Sequence, residues 1–213
     1  MKNFIFIFFM VFFSSLIRAH EKIDTIITDA HHFFKAITPT INSLVIFDID
    51  DTSLDTSLQS GQCIILQGGM FLYFHPIPQV LLFYKDLIAR GFKTVFLTAR
   101  VEKSLSSCRE NDVLEQTKKN LITAGYTQFE DVICRTFQDS RTMKIHAWKE
   151  KKRKELSLKY TIHATLDDDS RNLTGECTGK KIQMPSQKLG GFYLRPHVFK
   201  ARKKATKLMN ATQ

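Results

Sequence analysis

The chain has 213 residues, of which 43% are hydrophobic and 24% charged, an ordinary globular composition with enough length for one domain and a sizeable core. Its formal net charge of +10 directs attention to anionic partners. The four cysteines show no CxxC or Cys/His metal spacing, which argues against a structural zinc module.

The first twenty residues, MKNFIFIFFMVFFSSLIRAH, stand apart from the rest. Lys2 gives a positive start, Phe4 to Phe13 is almost wholly apolar, Ser14 and Ser15 follow, and Ala19 offers a small residue at a cleavage point. This is the layout of a secretory signal peptide over 1–19. The apolar stretch falls short of the about 20 residues that a spanning helix needs. The expectation is export, to the periplasm or out of the cell, with no stable membrane anchor. Cleavage after Ala19 removes Lys2 and Arg18 and no acid, so +10 becomes +8.

The remaining positive charge is concentrated in two blocks. Lys149, Lys151, Lys152, Arg153 and Lys154 form the first, with Glu150 and Glu155 interleaved at helical spacing, the pattern of a solvated helix face. Lys200, Arg202, Lys203, Lys204 and Lys207 form the second, a basic tail over 200–213. Neither block carries interleaved stacking aromatics, so nucleic acid is not an expected partner. In an exported protein Cys63, Cys108, Cys134 and Cys177 allow up to two disulfides in three pairings, while Cys134 lies in a strand-like run and reads as core.

Residues 20–42 read as a polar helical lead-in with Ile23, Ile26, Ile27 and Ala30 on one face. LVIFD (44–48) is a short apolar run, the pattern of a strand buried on both faces. Residues 53–75 contain Gly61, Gly68 and Gly69 and no clean period, as in a loop or small cap insertion. A helix follows over 76–91, with Ile77, Val80, Leu81, Tyr84, Leu87 and Ile88 on one face, Pro at its start and Gly91 at its end. KTVFLT (93–98) is a second strand. A helix over 110–124 turns Val113, Thr117, Leu121 and Ala124 inward and stops at Gly125; DVICR (131–135) is the third strand.

A charged helix over 145–159 faces inward with Ile145, Trp148 and Leu156. TIHATLD (161–167) and KKIQM (180–184) complete the strands. This alternation predicts an α/β fold: a Rossmann-like three-layer α/β/α sandwich with a mainly parallel sheet, in one domain over 20–199. In such sheets ligands bind beyond the carboxyl ends of the strands.

Those ends carry unusual residues. The first strand runs into Asp48-Ile49-Asp50-Asp51-Thr52, the second ends Thr98-Ala99-Arg100, and the fourth ends Asp167-Asp168-Asp169. Aspartates after strands often cap turns and helices. Two acidic groups at one sheet edge, however, repel each other unless a cation neutralises them. All-oxygen ligands and high negative charge suit Mg²⁺. One carboxylate of such a pair can attack phosphorus while a second protonates the departing oxygen and later activates water.

FDIDDT, FLTAR, WKEKKRKEL and ATLDDDSRNL, in this order, resemble the four motifs of the haloacid dehalogenase (HAD) superfamily of phosphotransferases. The phrases IPQVLLFYKDLIARGFKTVFLTAR, TKKNLITAGYTQFEDVICR and KIQMPS make the chain most similar to that superfamily's acid phosphatase and vegetative-storage-protein group, over roughly residues 41–190. The resemblance implies a HAD-like fold with a small or minimal cap, a phosphate monoester as substrate and Mg²⁺ as cofactor. It implies Asp48 as nucleophile and metal ligand, and Asp50 as general acid/base with its backbone carbonyl on the metal. Thr52 would orient the motif, and Thr98 would hydrogen-bond the phosphoryl group. Lys149 matches the phosphate-binding lysine, with Lys144 as the alternative.

Asp168 matches the metal-binding acid of the fourth motif. Asp167 either stands where the family often has Gly or pairs with Asp168 as a second ligand, and Asn172 stands where a second Asp is common. Arg100 either binds phosphate or fixes its own loop, and His75 reads as structural. An exported Mg²⁺-dependent acid phosphatase is the expected activity; the alternative is a non-catalytic binding, storage or interaction protein on the same fold.

Overall fold

The computed structural model describes residues 21–56, 74–102 and 113–185. The expected leader (1–19), most of the segment expected as a loop or small cap (57–73), Cys63, Cys108 and the basic tail (200–213) lie outside the described residues. Among the described residues no helix is long and apolar enough to cross a membrane.

In chain order the elements are α1 (21–35), β1 (Ser43–Phe47), α2 (Pro78–Ala89), β2 (Lys93–Val101), α3 (Val113–Thr123) and β3 (Asp131–Arg135). There follow α4 (Phe137–Thr142), α5 (Ile145–Ser157), β4 (Thr161–Asp167), a 3₁₀ turn (Ser170–Leu173) and β5 (Lys180–Gln183). The five strands form one sheet in the order β3-β2-β1-β4-β5, and every pairing is parallel.

The alternating side chains of β1 explain the layering. Val45 and Phe47 point into one apolar cluster, which takes in Phe34 of α1, Val80, Phe83, Tyr84 and Leu87 of α2, and Leu121 of α3. Leu44 and Ile46 point into a second cluster on the opposite face, with Trp148 of α5 and Tyr160. A strand with helices on both faces must be apolar throughout, which is why SLVIF has no polar alternation. Chain direction follows from handedness: parallel crossovers are right-handed. Stepping outward from β1 to β2 and β3 therefore puts α2 and α3 on one face, and returning to β4 puts α5 on the other. The two directions part between β1 and β4, where open sheets of this kind hold their ligands.

The large cluster is dominated by rings. Phe34 meets Phe83 and Phe92 edge-on, Tyr84 meets Tyr126, and Phe96 meets Tyr126 and Phe129 in the same manner. Such T-shaped pairs place the positive ring edge on the negative ring face.

Several expectations need correction. The lead-in helix stops at 35, short of Pro39, rather than running to 42, and Phe34 joins its buried face. Helix α4 lies where no element was expected; six residues without a buried side chain carry no apolar period to read. Ile145 is 40% exposed, because the first residue of α5 precedes the turn that meets the sheet. The basic block is not a purely solvated face: Lys149 and Arg153 are buried.

Gly179, just before β5, has φ +59, and a Cβ there would collide with the backbone carbonyl of His163 in β4. Gly91, with φ +92, would meet only the Pro39 side chain, at 3.9 Å. Gly179→Ala is expected to cost about 2 kcal/mol or more, from a strained backbone plus a backbone clash. Gly91→Ala should cost about 1 kcal/mol, from the left-handed backbone alone. Urea unfolding of the two variants beside the parent measures both.

Candidate active site

Register sets the level of the site. Phe47 pairs with Phe96 of β2 and with Leu166 of β4, so the carboxyl ends of three strands stand side by side. The Asp48 amide donates to the Leu166 carbonyl at 2.9 Å, carrying the ladder one residue past the end of β1. The next residues of the flanking strands are Leu97 with Thr98, and Asp167 with Asp168. Asp48, Asp167 and Asp168 are all buried, and each offers a carboxylate oxygen within 4.8 Å of the other two.

Beyond Asp48 the chain turns sharply. The Ile49 carbonyl accepts from the amides of Ser53 and Leu54 at 3.0 and 2.8 Å, and Asp51 takes φ 58 within that turn. The Ser53 hydroxyl donates to the Asp48 carbonyl at 2.6 Å, and the Tyr126 hydroxyl donates to the Ser53 carbonyl at 2.9 Å. Burial pushes the Tyr126 phenol well above its ordinary value of 10.0, so it remains a donor throughout the physiological range. Thr52 is fully buried, but its hydroxyl has no partner among the described residues. The turn is thus braced by Ser53 and Tyr126, which sequence pattern alone did not single out.

Helix α5 supplies the balancing charge. Trp148 is fully buried against the sheet, which aims the next side chain, Lys149, along the sheet edge. Its ammonium donates to Asp48 Oδ1 at 2.7 Å and to Asp167 Oδ2 at 2.6 Å. The other oxygen of Asp167 accepts from the Asp169 amide at 2.9 Å and from Asn172 Nδ2 at 3.0 Å. Asn172 therefore contributes a donor at the position where the resembling family commonly has an acid. Lys144 is the residue that opens α5, and Lys149 is the lysine that meets the acids.

Burial raises the Asp48 carboxyl well above 3.8; Lys149 works against that shift, and the charges of Asp167 and Asp50 add to it. Burial pulls the Lys149 ammonium down, but Asp48 and Asp167 outweigh it and hold the group above 10.5. Three carboxylates against one ammonium leave a formal excess of two negative charges, that of one divalent cation. With oxygen donors alone, the set fits a hard metal ion.

The other acids have different partners. Each Asp50 oxygen accepts one hydrogen bond from Arg100, Oδ2 from Nε at 3.0 Å and Oδ1 from Nη2 at 2.6 Å, which leaves a second lone pair on each, and its carboxylate is not among the group of three. Asp51 accepts from the Thr56 amide at 3.2 Å, and Asp169 caps the 3₁₀ turn by accepting from the Arg171 amide at 3.0 Å. Turn and cap contacts thus occupy these two aspartates, whereas Asp48, Asp167 and Asp168 converge on one another. Thr98 is fully buried, and its hydroxyl accepts from the Arg100 amide at 3.3 Å. His75 is exposed. Arg153, buried in the middle of α5, donates to the carbonyls of Asn172 and Thr174 at 2.7 and 2.6 Å and so fixes the backbone that follows the acids.

Comparison with known proteins gives the family. No curated protein sequence matches the chain. Among solved structures, a class C acid phosphatase from Bacillus anthracis with tungstate bound is similar at 20% identity, over 72% of this chain and 61% of that one, with a TM-score of 0.49. This chain therefore covers less than two thirds of that protein's length. The family model described as HAD superfamily, subfamily IIIB (acid phosphatase), matches residues 74–211, a segment that begins after the Asp48–Thr52 motif and contains Thr98, Lys149, Asp167 and Asp168. The chain belongs to subfamily IIIB, the acid phosphatases, of the HAD superfamily.

Proposed function

We propose that the protein is an exported, Mg²⁺-dependent phosphomonoesterase that works through an aspartyl-phosphate on Asp48. The observation that carries this reading is the meeting of Asp48, Lys149, Asp167 and Asp168, from three separate elements, at the one sheet edge. The leader over 1–19 supports export.

Asp48, Asp167 and Asp168 would hold the ion. When bound, Mg²⁺ supplies positive charge against the phosphoryl oxygens and screens the acids from each other. Asp48 attacks phosphorus as the ester P–O bond breaks, and the bonding electron pair leaves with the ester oxygen. Asp50 gives that oxygen its proton. Asp50 then takes a proton from water as the water attacks phosphorus, and the Asp48–phosphorus bond breaks to release inorganic phosphate. The Lys149 ammonium would balance charge on the phosphoryl oxygens, and the Thr98 hydroxyl would donate a hydrogen bond to one of them.

Purified protein with Mg²⁺ is expected to release phosphate from a panel of aryl and alkyl monoesters. Asp48→Asn should lower kcat at least about 10³-fold, as loss of a nucleophile does. Equal turnover by the parent and Asp48→Asn, or none by either, counts against the assignment.

Metal binding has its own readout. A carboxyl raised above its unfolded value contributes stability that is fully present below about pH 3.8 and is lost as pH rises through the raised value. A divalent ion on the same oxygens competes with that proton, so its stabilising effect grows with pH. Mg²⁺ at about 10 mM should raise Tm more near pH 7 than near pH 4.5, and Asp48→Asn should remove most of the difference. Thermal unfolding with and without a chelator measures it.

A further inference from the structure

Arg100 is almost fully buried at the end of β2 and is held on several sides. Its Nε and Nη2 grip both oxygens of Asp50, its Nη1 donates to the Thr117 hydroxyl at 3.1 Å, and its guanidinium lies 5.7 Å from the centre of the Phe74 ring. Thr117 is itself fully buried on α3. Asp50 sits 50 residues from Arg100 in the chain, on the turn beyond β1, and its side chain is 29% exposed.

From this arrangement we infer that Arg100, steadied by Thr117, is a positioning residue that sets the direction in which Asp50 presents its carboxyl group to the leaving oxygen. The inference rests on the reading of Asp50 as proton donor. A carboxyl group on a turn has two free side-chain torsions. A single hydrogen bond fixes a distance, whereas a two-pronged guanidinium contact fixes the plane of the carboxyl group as well. The third prong and the ring prevent the guanidinium from swinging with its partner. Arg100 thereby carries the rigidity of the α3–sheet packing to an atom on a loop.

A role of this kind has a signature that a structural role lacks. A nitrophenolate departs without taking up a proton, whereas a simple alkoxide cannot. Misdirection of the proton donor therefore penalises alkyl esters selectively. In Mg²⁺-loaded protein, Arg100→Lys should raise the ratio of kcat/KM on p-nitrophenyl phosphate to kcat/KM on ethyl phosphate by about tenfold or more, the scale of an ångström-sized misplacement; kcat/KM reports the step in which the ester oxygen departs and not the later hydrolysis common to both esters. Thr117→Val, which keeps shape and removes the hydroxyl, should shift the ratio the same way by about threefold. Guanidinium ion added to Arg100→Ala should move the ratio back toward that of the parent. Circular dichroism and thermal unfolding of each variant establish that it is folded.

An unchanged ratio in folded Arg100→Lys and Arg100→Ala, with both esters slowed alike, overturns the inference while leaving the phosphatase assignment standing. That result would place Arg100 on the phosphoryl group or in the scaffold. If the parent hydrolyses neither ester, the functional reading fails and the inference fails with it.

Discussion

The site is organised around one buried ammonium. Lys149 is 2% exposed and touches two carboxylates that come from strands on either side of the topological switch. An isolated charge in such a place would cost several kcal/mol in lost hydration, and so would each of the acids it touches. Only together are they tolerable, and only at distances set by the register of β1 against β4 and by the seating of Trp148. Arg135 reinforces that seating: its guanidinium donates to the carbonyls of Asp139 and Met143 and lies over the Trp148 ring, closing the corner between α4 and α5. Helix placement, strand register and site electrostatics are therefore one constraint seen from three sides.

The aspartates at this edge divide their labour by partner rather than by sequence position. Asp48, Asp167 and Asp168 converge and leave charge for an ion. Asp50 turns to Arg100, while Asp51 and Asp169 serve backbone turns. Adjacent acids take different roles because a chain leaving a strand points successive side chains in different directions. A second line of support runs from the aromatic core outward, through the Tyr126 hydroxyl to Ser53 and from Ser53 to the Asp48 carbonyl. Asp48 is thus steadied from below by the core and from the side by Lys149.

Much of this was legible in the sequence. The strands announced themselves because burial on both faces demands unbroken apolar runs, and the acids stood out because charge at the end of such a run needs a reason. The ordered motifs identified the group of proteins, and Lys149, one of the two lysines singled out, is the one that meets the acids. What stayed hidden was non-local. Arg153 and Lys149 sit in a run of five basic residues, and local pattern cannot tell which of them the rest of the fold will cover. The grip of Arg100 on Asp50 joins residues 50 apart, so only the assembled sheet reveals it. Helix α4 and the exposure of Ile145 were missed for the opposite reason: both depend on a few residues at a corner, too short a stretch for periodicity to register.

The strand order has a consequence for how the chain is made. The central strand, β1, is synthesised well before one of its two neighbours, β4, which comes more than a hundred residues later. Until Thr161–Asp167 arrives, a newly made chain carries an apolar strand with one row of amide and carbonyl groups unsatisfied, an invitation to pair with another chain. Parallel pairings between distant segments also form slowly, because a long loop must close before any contact rewards it. A chain broken off before β4 would lack the partner of its own central strand and two of its clustered acids, and would be left as a nucleus for aggregation rather than a smaller version of the protein.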